Sequence, residues 1–253
     1  MVHELDLEKL NAGFETLKPQ EIMDWAFREF SGQIAMTSSF GPESGVLLHM
    51  ASLLDPKVPV LFLETGYHFP ETLEYKESLV RRFGLTNVID LKAEPQAKSD
   101  LERQYGQAPY EKQPDECCRV HKVEPLDRAI KGYEAWMSGI RRQQTDFRKS
   151  IRILEEYEGG VFKLSPLANF TSRDAWWYLK EHGIPQHPLF EKGYLSIGCW
   201  PCTRPIQAGD DERSGRWAGK AKKECGIHTF KELKPGGEQE PEKEAAEDIA
   251  PEI

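Results

Sequence analysis

Apolar positions in the first half of the chain follow two spacings, one typical of helices and one typical of buried strands. Over residues 19–30, the side chains of Ile22, Trp25, Ala26 and Phe30 fall on one face of a helix. The same reasoning predicts further helices over 43–54, 70–83 and 171–182. It predicts strands over 33–38, 59–63, 87–91, 133–138 and 161–164.

These elements alternate as strand, helix, strand, which predicts an α/β fold with a mainly parallel sheet covered by helices on both faces. Pro70 and the acidic residue after it are typical of a helix start, Thr171 of a helix N-cap and Gly183 of a helix C-cap. In such sheets, ligands bind at the carboxyl ends of the strands.

The hydrophobic pattern fades after Cys202 and divides the chain into three parts. Residues 1–203 form the predicted α/β domain, which carries all the predicted strands and helices. Residues 204–230 have few apolar positions and are predicted to be a mobile segment. Residues 231–253 are rich in Glu, Pro and Ala and are predicted to be an acidic, disordered tail.

Composition places the chain among soluble globular proteins, with 39% hydrophobic and 30% charged residues. No apolar run reaches the roughly 18 residues that a membrane span needs, and the first residues do not resemble a secretion signal, so we expect a cytoplasmic protein. The net charge is −9, of which residues 235–253 supply −6 through seven acidic side chains and one lysine. No basic footprint for nucleic acid is evident.

Four of the five cysteines form two close pairs, Cys117–Cys118 and Cys199–Cys202. Disulfides are disfavoured in a reducing compartment, and four thiolates from two segments are able to hold either zinc or an iron–sulfur cluster. Two adjacent cysteines suit a bulky cluster better than a single ion. Zinc and plain buried cysteines stay open as alternatives.

The fifth cysteine, Cys225, has a different setting. Lys222 and Lys223 precede it, Gly226 follows it, and His228 lies three residues on. Nearby cations favour the thiolate, which is the reactive form of cysteine, so Cys225 is a candidate nucleophile. The alternative is a surface cysteine without function.

Two polar turns follow the first two predicted strands. The turn SSFGPES offers backbone amides and the hydroxyls of Ser38, Ser39 and Ser44 to an anion, and the turn LETGYHFPET contains Gly66 and His68. Adjacent turns of this kind indicate a nucleotide site, although neither matches a standard phosphate-binding motif. Three basic groups add candidate cations for phosphate or sulfate: Arg119 with His121 and Lys122, Arg141 with Arg142, and Arg213 with Arg216.

Taken together, SSFGPES, LETGYHFPET, CCRVHKVEPL, GIRRQQT, SIGCWPCTRP, DDERSGRW and ECGIH resemble the bacterial assimilatory adenylyl-sulfate (APS) reductases of the phosphoadenylyl-sulfate reductase family. The resemblance runs from about residue 20 to residue 230. It implies a PP-loop, adenine-nucleotide α-hydrolase-like fold, in which residues 1–203 hold both nucleotide and cluster. It also implies one [4Fe-4S] cluster on Cys117, Cys118, Cys199 and Cys202, with Cys225 as the nucleophile.

The resemblance further implies the residues that contact substrate. They are Ser38, Ser39, Ser44, Arg141 or Arg142, Arg213 and Arg216, with Lys122 near both cluster and substrate. We add Glu64, Thr65 and Gly66 of the second turn, and His228, as predicted contacts. The chain departs from many relatives at His121, Gln143 and Glu64, which bears on the ligand contacts more than on the chemistry.

The implied reaction is reduction of APS to sulfite and AMP. Cys225 attacks the sulfuryl sulfur to give an S-sulfocysteine, which thioredoxin or glutaredoxin, supplied in trans, then reduces. Neither nucleic acid nor membrane is an expected partner, and a homo-oligomer stays open. Three other functions remain as alternatives: reduction of the 3′-phosphorylated substrate PAPS, an ATP-dependent PP-loop sulfurtransferase, and a non-catalytic iron–sulfur sensor.

Overall fold

The structure is a computed structural model that describes residues 5–157, 159–207 and 209–228. The predicted acidic tail and the end of the predicted mobile segment lie outside these residues. The α-helices are α1 Leu7–Phe14, α2 Pro19–Glu29, α3 Ser44–Leu54, α4 Pro70–Phe83, α5 Pro95–Tyr105, α6 Pro109–Lys112, α7 Pro114–Cys118, α8 Glu124–Ile130 and α9 Ser172–Glu181. The strands are β1 Ile34–Thr37, β2 Val60–Leu63, β3 Val88–Leu91, β4 Ala135–Met137, β5 Leu154–Glu156 and β6 Phe162–Leu164.

The six strands form one sheet in the order β3-β2-β1-β4-β6-β5. All neighbouring pairs are parallel except β5 and β6, which are antiparallel. This architecture confirms the predicted fold class. Each predicted strand and helix is present, with ends that differ from the prediction by at most two residues.

Alternate residues of the central strands pack on opposite faces of the sheet. On β1, Ile34 and Met36 join the larger hydrophobic core with helices α2, α3, α4 and α9, whereas Ala35 faces the other side. On β4, the fully buried Trp136 joins Ala35 in a smaller core beneath α8. Both faces are therefore covered, as expected for a parallel sheet.

Local signals explain several of the helix ends. Pro70 opens α4, and Gly84 closes it in a left-handed conformation with φ of +63°. Thr171 caps α9 by accepting a hydrogen bond from the backbone of Asp174, whose side chain reaches back to Thr171. Gly183 follows the last residue of the α9 cap with φ of +59°, as the sequence predicted.

The stretch between α5 and β4 was not predicted as helical. Short helices α6 and α7 lead into a π-helical turn at Arg119–Val123 and then into α8. A π turn fits one extra residue into the helix and is often found at functional sites. It lies directly after the cysteine pair.

Along the parts of the chain that are described, no helix is both long and apolar enough for a membrane crossing.

Candidate functional site

A pocket of about 220 Å³ lies at the carboxyl ends of β1, β2 and β4. The strand order reverses here, because β1 has β2 on one side and the later strand β4 on the other, and such a reversal leaves a crevice between the loops. Ser38 after β1, Leu63 at the end of β2 and Ser138 after β4 line it. The predicted site residues in its wall are Ser38, Ser39, Ser44, Lys122, Arg141, Cys199, Arg213, Arg216, Cys225 and His228.

The serine turn after β1 is held by its own hydroxyls. Ser38 Oγ accepts a hydrogen bond from the amide of Phe40 at 3.1 Å, and Ser44 Oγ accepts one from Gly41 at 2.9 Å. Phe40 has a φ of +48°, unusual for a residue with a side chain, and its fully buried ring packs against Phe62. An accepting hydroxyl keeps its own hydrogen, so the turn is equipped to donate to an anion.

The second turn folds back on itself. Glu64 Oε1 accepts a hydrogen bond from the amide of Gly66 at 2.8 Å, and Gly66 has a φ of +76°. Thr65 is buried, with its hydroxyl 3.4 Å from the sulfur of Cys199. Within the described chain, none of these three predicted contacts lines the pocket, whereas His68 does. The turn therefore supports the cysteine side of the site.

The fold brings the two cysteine pairs together. Cys117 and Cys118 end α7, Cys199 and Cys202 flank a short 3-10 turn, and the charges of these thiols act on one another. Burial and neighbouring thiols raise the pKa of Cys117 to about 12. Burial, opposed by Lys122, raises that of Cys118 to about 11. Metal binding deprotonates thiols in such settings.

The donor set consists of sulfur, with three of the four cysteines less than 10% exposed. Among residues 5–157, 159–207 and 209–228, no three His, Cys, Asp or Glu side chains converge closely enough to hold a single metal ion. A multi-iron cluster spreads its metal over separate atoms, so its four thiolates need not meet at one point. The donor chemistry of the four cysteines therefore fits a cluster.

Lys122 lies on the π turn and faces three cysteines. Burial opposes its charge, but the thiolates of Cys199, Cys118 and Cys225 outweigh burial and raise the pKa of Lys122 above its ordinary value. Lys122 is also part of the pocket wall. This one ammonium group thus lies between the cysteine cluster and the place where an anionic ligand would sit.

Cys225 lies at the same pocket, half-buried. Burial raises the pKa of its thiol, but Lys122, a hydrogen bond from the amide of Ile227 and Arg216 bring the pKa below the ordinary value. A lowered pKa favours the nucleophilic thiolate. The neighbouring Lys222, in contrast, pairs with Asp115 on α7, so the principal cation beside Cys225 comes from the π turn.

The two adjacent arginines of the GIRRQQT motif point to different places. Arg141 is 1% exposed and lines the pocket, where its Nη1 lies 2.6 Å from Glu43 and its Nη2 donates to Ser172 at 3.0 Å. Arg142 donates two hydrogen bonds to Glu15 on the side of α1 and is absent from the pocket wall as described. The geometry selects Arg141 as the pocket residue of this pair.

Arg213 and Arg216 reach the pocket from the segment after Cys202. Burial, reinforced by the charge of Arg148, lowers the pKa of Arg213 to about 10. The guanidinium of Arg216 lies 4.5 Å from the ring centroid of Trp217 and packs against Gly198. In the described chain, the Nε atoms of both arginines and of Arg141 are buried without a hydrogen-bond partner, which leaves donors for an anion.

His228 closes the opposite wall. Its ring stacks on Trp136, with centroids 6.2 Å apart and planes 5° from parallel, and its carbonyl accepts a hydrogen bond from Tyr157. Burial and the charges of Lys163, Arg148 and Arg213 hold the pKa of His228 well below its ordinary value. The ring is therefore neutral at pH 7, and it is able to donate or accept one hydrogen bond at each nitrogen according to its tautomer.

Sequence reasoning missed several pocket residues. Arg148, Gln144, Glu43 and Glu212 all line the pocket, and Arg148 bonds to Glu224 next to the nucleophile. In the sequence TDFRKS, Arg148 looks like an ordinary surface cation, and nothing in its neighbours signals burial. Glu224 adjoins Cys225 in the ECGIH motif, but its role depends on a partner 76 residues away.

Together the fold and pocket define a class: a mainly parallel α/β protein with a pocket of serine hydroxyls and cationic side chains at the strand switch point, and a thiol in the pocket wall. The match to known sequences is more specific. The chain belongs to the family described as the phosphoadenosine phosphosulfate reductase domain, whose model matches residues 33–205.

Two curated relatives illustrate the family. The chain is 46% identical over 220 residues to the adenosine 5'-phosphosulfate reductase of Mesorhizobium japonicum, covering 87% of this chain and 85% of that protein. It is 40% identical over 230 residues to the phosphoadenosine 5'-phosphosulfate reductase of Gloeobacter violaceus, covering 90% and 95%. Relatives named for either substrate therefore align with most of this chain.

Solved structures agree on the fold. The phosphoadenylyl-sulfate reductase of Candida auris, in a phosphate complex, superposes with a TM-score of 0.67 at 27% identity, covering 79% of this chain and 97% of that one. The FMN adenylyltransferase of Candida glabrata superposes with a TM-score of 0.55 at 18% identity, covering 74% and 63%. The second likeness concerns the fold alone.

Proposed function

We propose that this protein reduces APS to sulfite and AMP, with thioredoxin or glutaredoxin as the electron donor and Cys225 as the nucleophile. The observation that carries the proposal is a single pocket wall that joins a hydroxyl-rich turn, several buried cations and the Cys225 thiol. The names of relatives such as the Mesorhizobium japonicum protein support the same substrate class.

In the first step, the Cys225 thiolate attacks the sulfuryl sulfur. A sulfur–sulfur bond forms, the sulfur–oxygen bond to phosphate breaks, and AMP leaves with the electron pair. Lys122, Arg213 and Arg216 supply fixed positive charge where negative charge grows on the phosphate and sulfuryl oxygens. The product on the protein is an S-sulfocysteine.

In the second step, a thiolate of the donor attacks the sulfur of Cys225. Sulfite leaves with the electron pair of the broken sulfur–sulfur bond, and a mixed disulfide forms. The second thiol of the donor then resolves this disulfide and restores the Cys225 thiolate. The two electrons that reduce the substrate come from the dithiol, so the balance requires no other reductant.

Cys117, Cys118, Cys199 and Cys202 would hold a [4Fe-4S] cluster. When bound, the cluster would fix the site and shape its electric field without changing oxidation state. Lys122 is the residue that links this cysteine group to the pocket, since it interacts with Cys118, Cys199 and Cys225. Replacing Cys202, which is the most exposed of the four, with serine should lower the iron and acid-labile sulfide content.

The choice between APS and PAPS is open to a direct test. Glu43 in the pocket wall is paired with Arg141, but the second acidic side chain there, Glu212, disfavours an additional phosphate, which supports APS. The Gloeobacter violaceus relative, named for the phosphorylated substrate, supports PAPS as a second candidate. Sulfite release should be faster with APS plus thioredoxin than with PAPS plus thioredoxin, and the reverse order would assign the protein to PAPS.

The protein carrying its iron is the form to assay, and Cys225→Ser should make no sulfite while keeping its iron. Sulfite production at the normal rate by this variant would remove Cys225 from the mechanism. Release of pyrophosphate from ATP would instead favour an ATP-dependent sulfurtransferase. An iron-bearing protein inactive toward all three nucleotides would favour the sensor alternative.

A further inference from the structure

A buried ion pair lies immediately beside Cys225. Arg148 donates from Nε to one oxygen of Glu224 at 2.8 Å and from Nη2 to the other at 2.7 Å. The two side chains are only 6% and 10% exposed. Parallel hydrogen bonds of this kind fix orientation as well as distance, so the residue next to Cys225 is held in one geometry.

Further contacts complete the carboxylate's environment. Thr145 donates its hydroxyl to Glu224 at 3.0 Å, and a nitrogen of Arg213 lies 3.5 Å away. Burial raises the pKa of Glu224, but Arg148 outweighs it and keeps the pKa below its ordinary value. Arg148 also contacts Gln144, which like Arg148 lines the pocket.

On the other side of Cys225, His228 is held by Tyr157 and Trp136, whereas two lysines that precede Cys225 reach partners nearer the surface. Lys220 donates to the carbonyls of Tyr110 and Glu111 at the surface. Lys222 is itself 8% exposed, but its partner Asp115 is 58% exposed. An exposed ion pair contributes little to holding a segment in place. A buried ion pair contributes more, because detaching the segment would leave a buried charge without its partner. The ion pairs of Glu224 with Arg148 and Arg213 bury both partners, so they are suited to hold the neighbouring Cys225 in place.

We infer that Arg148 is a positioning residue that holds Cys225 at the pocket through Glu224, and that this pair opens when a donor thiol reaches Cys225. The inference rests on the proposed function, because it assigns the closed position to attack on substrate and the open one to reduction. In the closed arrangement, Cys225 is half-buried in the pocket wall, so reduction by a second protein calls for the segment to open.

Alkylation of Cys225 by iodoacetamide tests the inference without any substrate. Peptide mass spectrometry would measure the alkylation rate of Cys225 as a function of pH in the iron-bearing protein. The limiting rate at high pH, the plateau, reports how accessible the Cys225 sulfur is, and the midpoint of the profile reports the pKa of its thiol. Glu224→Gln and Arg148→Met should each raise the plateau about tenfold, because the lost pair frees the segment. Lys149→Met should leave it unchanged, since Lys149 pairs with Asp146 at the surface.

Two features of the pH profile distinguish a positioning role of the Arg148–Glu224 pair from a purely electrostatic one. Glu224 raises the pKa of Cys225, so Glu224→Gln should also lower the midpoint, whereas a purely electrostatic role would move the midpoint alone. Arg148→Lys keeps the charge without the two parallel hydrogen bonds, and its plateau should fall between those of the parent and Arg148→Met. An unchanged plateau in Glu224→Gln and Arg148→Lys, both folded by circular dichroism, would overturn the inference.

The two half-reactions of the proposed mechanism, measured separately, test the effect of the ion pair on catalysis. With APS and no donor, AMP release in a single turnover should slow about tenfold in Glu224→Gln, because fewer molecules hold the thiol in place. Discharge of a preformed S-sulfocysteine by thioredoxin should not slow. The variants could show the raised plateau while the parent protein releases no AMP from APS. That result would uphold the positioning role of the Arg148–Glu224 pair and refute the proposed function.

Discussion

Replacing Gly198 with alanine tests how much the pocket depends on the position of one arginine. A Cβ at residue 198 would overlap Nη2 of Arg216 and would lie 2.6 Å from Cζ and 3.0 Å from Nη1. These atoms end a flexible side chain, so the guanidinium would move rather than the backbone. The amide of residue 198 would keep its hydrogen bond to Thr203. The fold should therefore survive while Arg216 leaves its place.

The size of the effect follows from the contact that is lost. A hydrogen bond to a charged group contributes about 1.5–3 kcal/mol, which corresponds to a fall of roughly 10- to 150-fold in kcat/KM for APS. The free energy of unfolding should change by less than about 1 kcal/mol, because alanine also restricts the unfolded chain. Activity and stability should thus separate in this variant.

Steady-state sulfite production and thermal unfolding are the two assays. Gly13→Ala is the matched control, because a Cβ at residue 13 meets nothing within 4 Å, and it should keep full kcat/KM. In an Arg216→Ala background, Gly198→Ala should have little further effect, since the side chain it displaces is gone. A full-sized additional loss there, or unchanged kcat/KM in the single variant, would show that the position of Arg216 does not govern activity.

Two further substitutions probe the charges around the pocket. Lys122→Met should raise the pKa of Cys225, so the midpoint of its alkylation profile moves to higher pH; an unmoved midpoint would contradict the assigned cation. Arg142→Gln should keep kcat/KM within about twofold and destabilise by at most about 1 kcal/mol at pH 7. The hydrogen bond from Arg142 lowers the pKa of Glu15 to about 2, so this stabilisation is present above the carboxyl's unfolded pKa and disappears as pH falls toward 2. Denaturant titrations at pH 7 and pH 3 should show the difference between parent and variant shrinking.

The elements with a clear hydrophobic period were predictable from the sequence. Helix α4 has the predicted ends because Pro70 and Gly84 mark them by backbone chemistry alone. Strand β5 was missed, because it is three residues long and lies at the sheet edge, paired only with β6. Helix α5 was missed because it is polar, with Leu101 its one buried residue, and α6 and α7 were missed because they are only four and five residues long. Packing rather than periodicity determines such helices.

For the site, residue type and spacing were informative where the chemistry is local. The serines of the first turn line one pocket with Cys199 and Cys225. Which of Arg141 and Arg142 faces the pocket depends on a single backbone turn, and the sequence offers no signal for it. The same holds for Arg148 and Gly198, whose partners are distant along the chain.

The most direct test of the central claim is to look for the covalent intermediate on Cys225. The iron-bearing protein is incubated with APS and no donor, and its peptides are then analysed by mass spectrometry. We expect one sulfonate group on Cys225 for each AMP released, discharged as sulfite when thioredoxin is added. AMP release with Cys225 unmodified, or with the sulfonate on another cysteine, would contradict it.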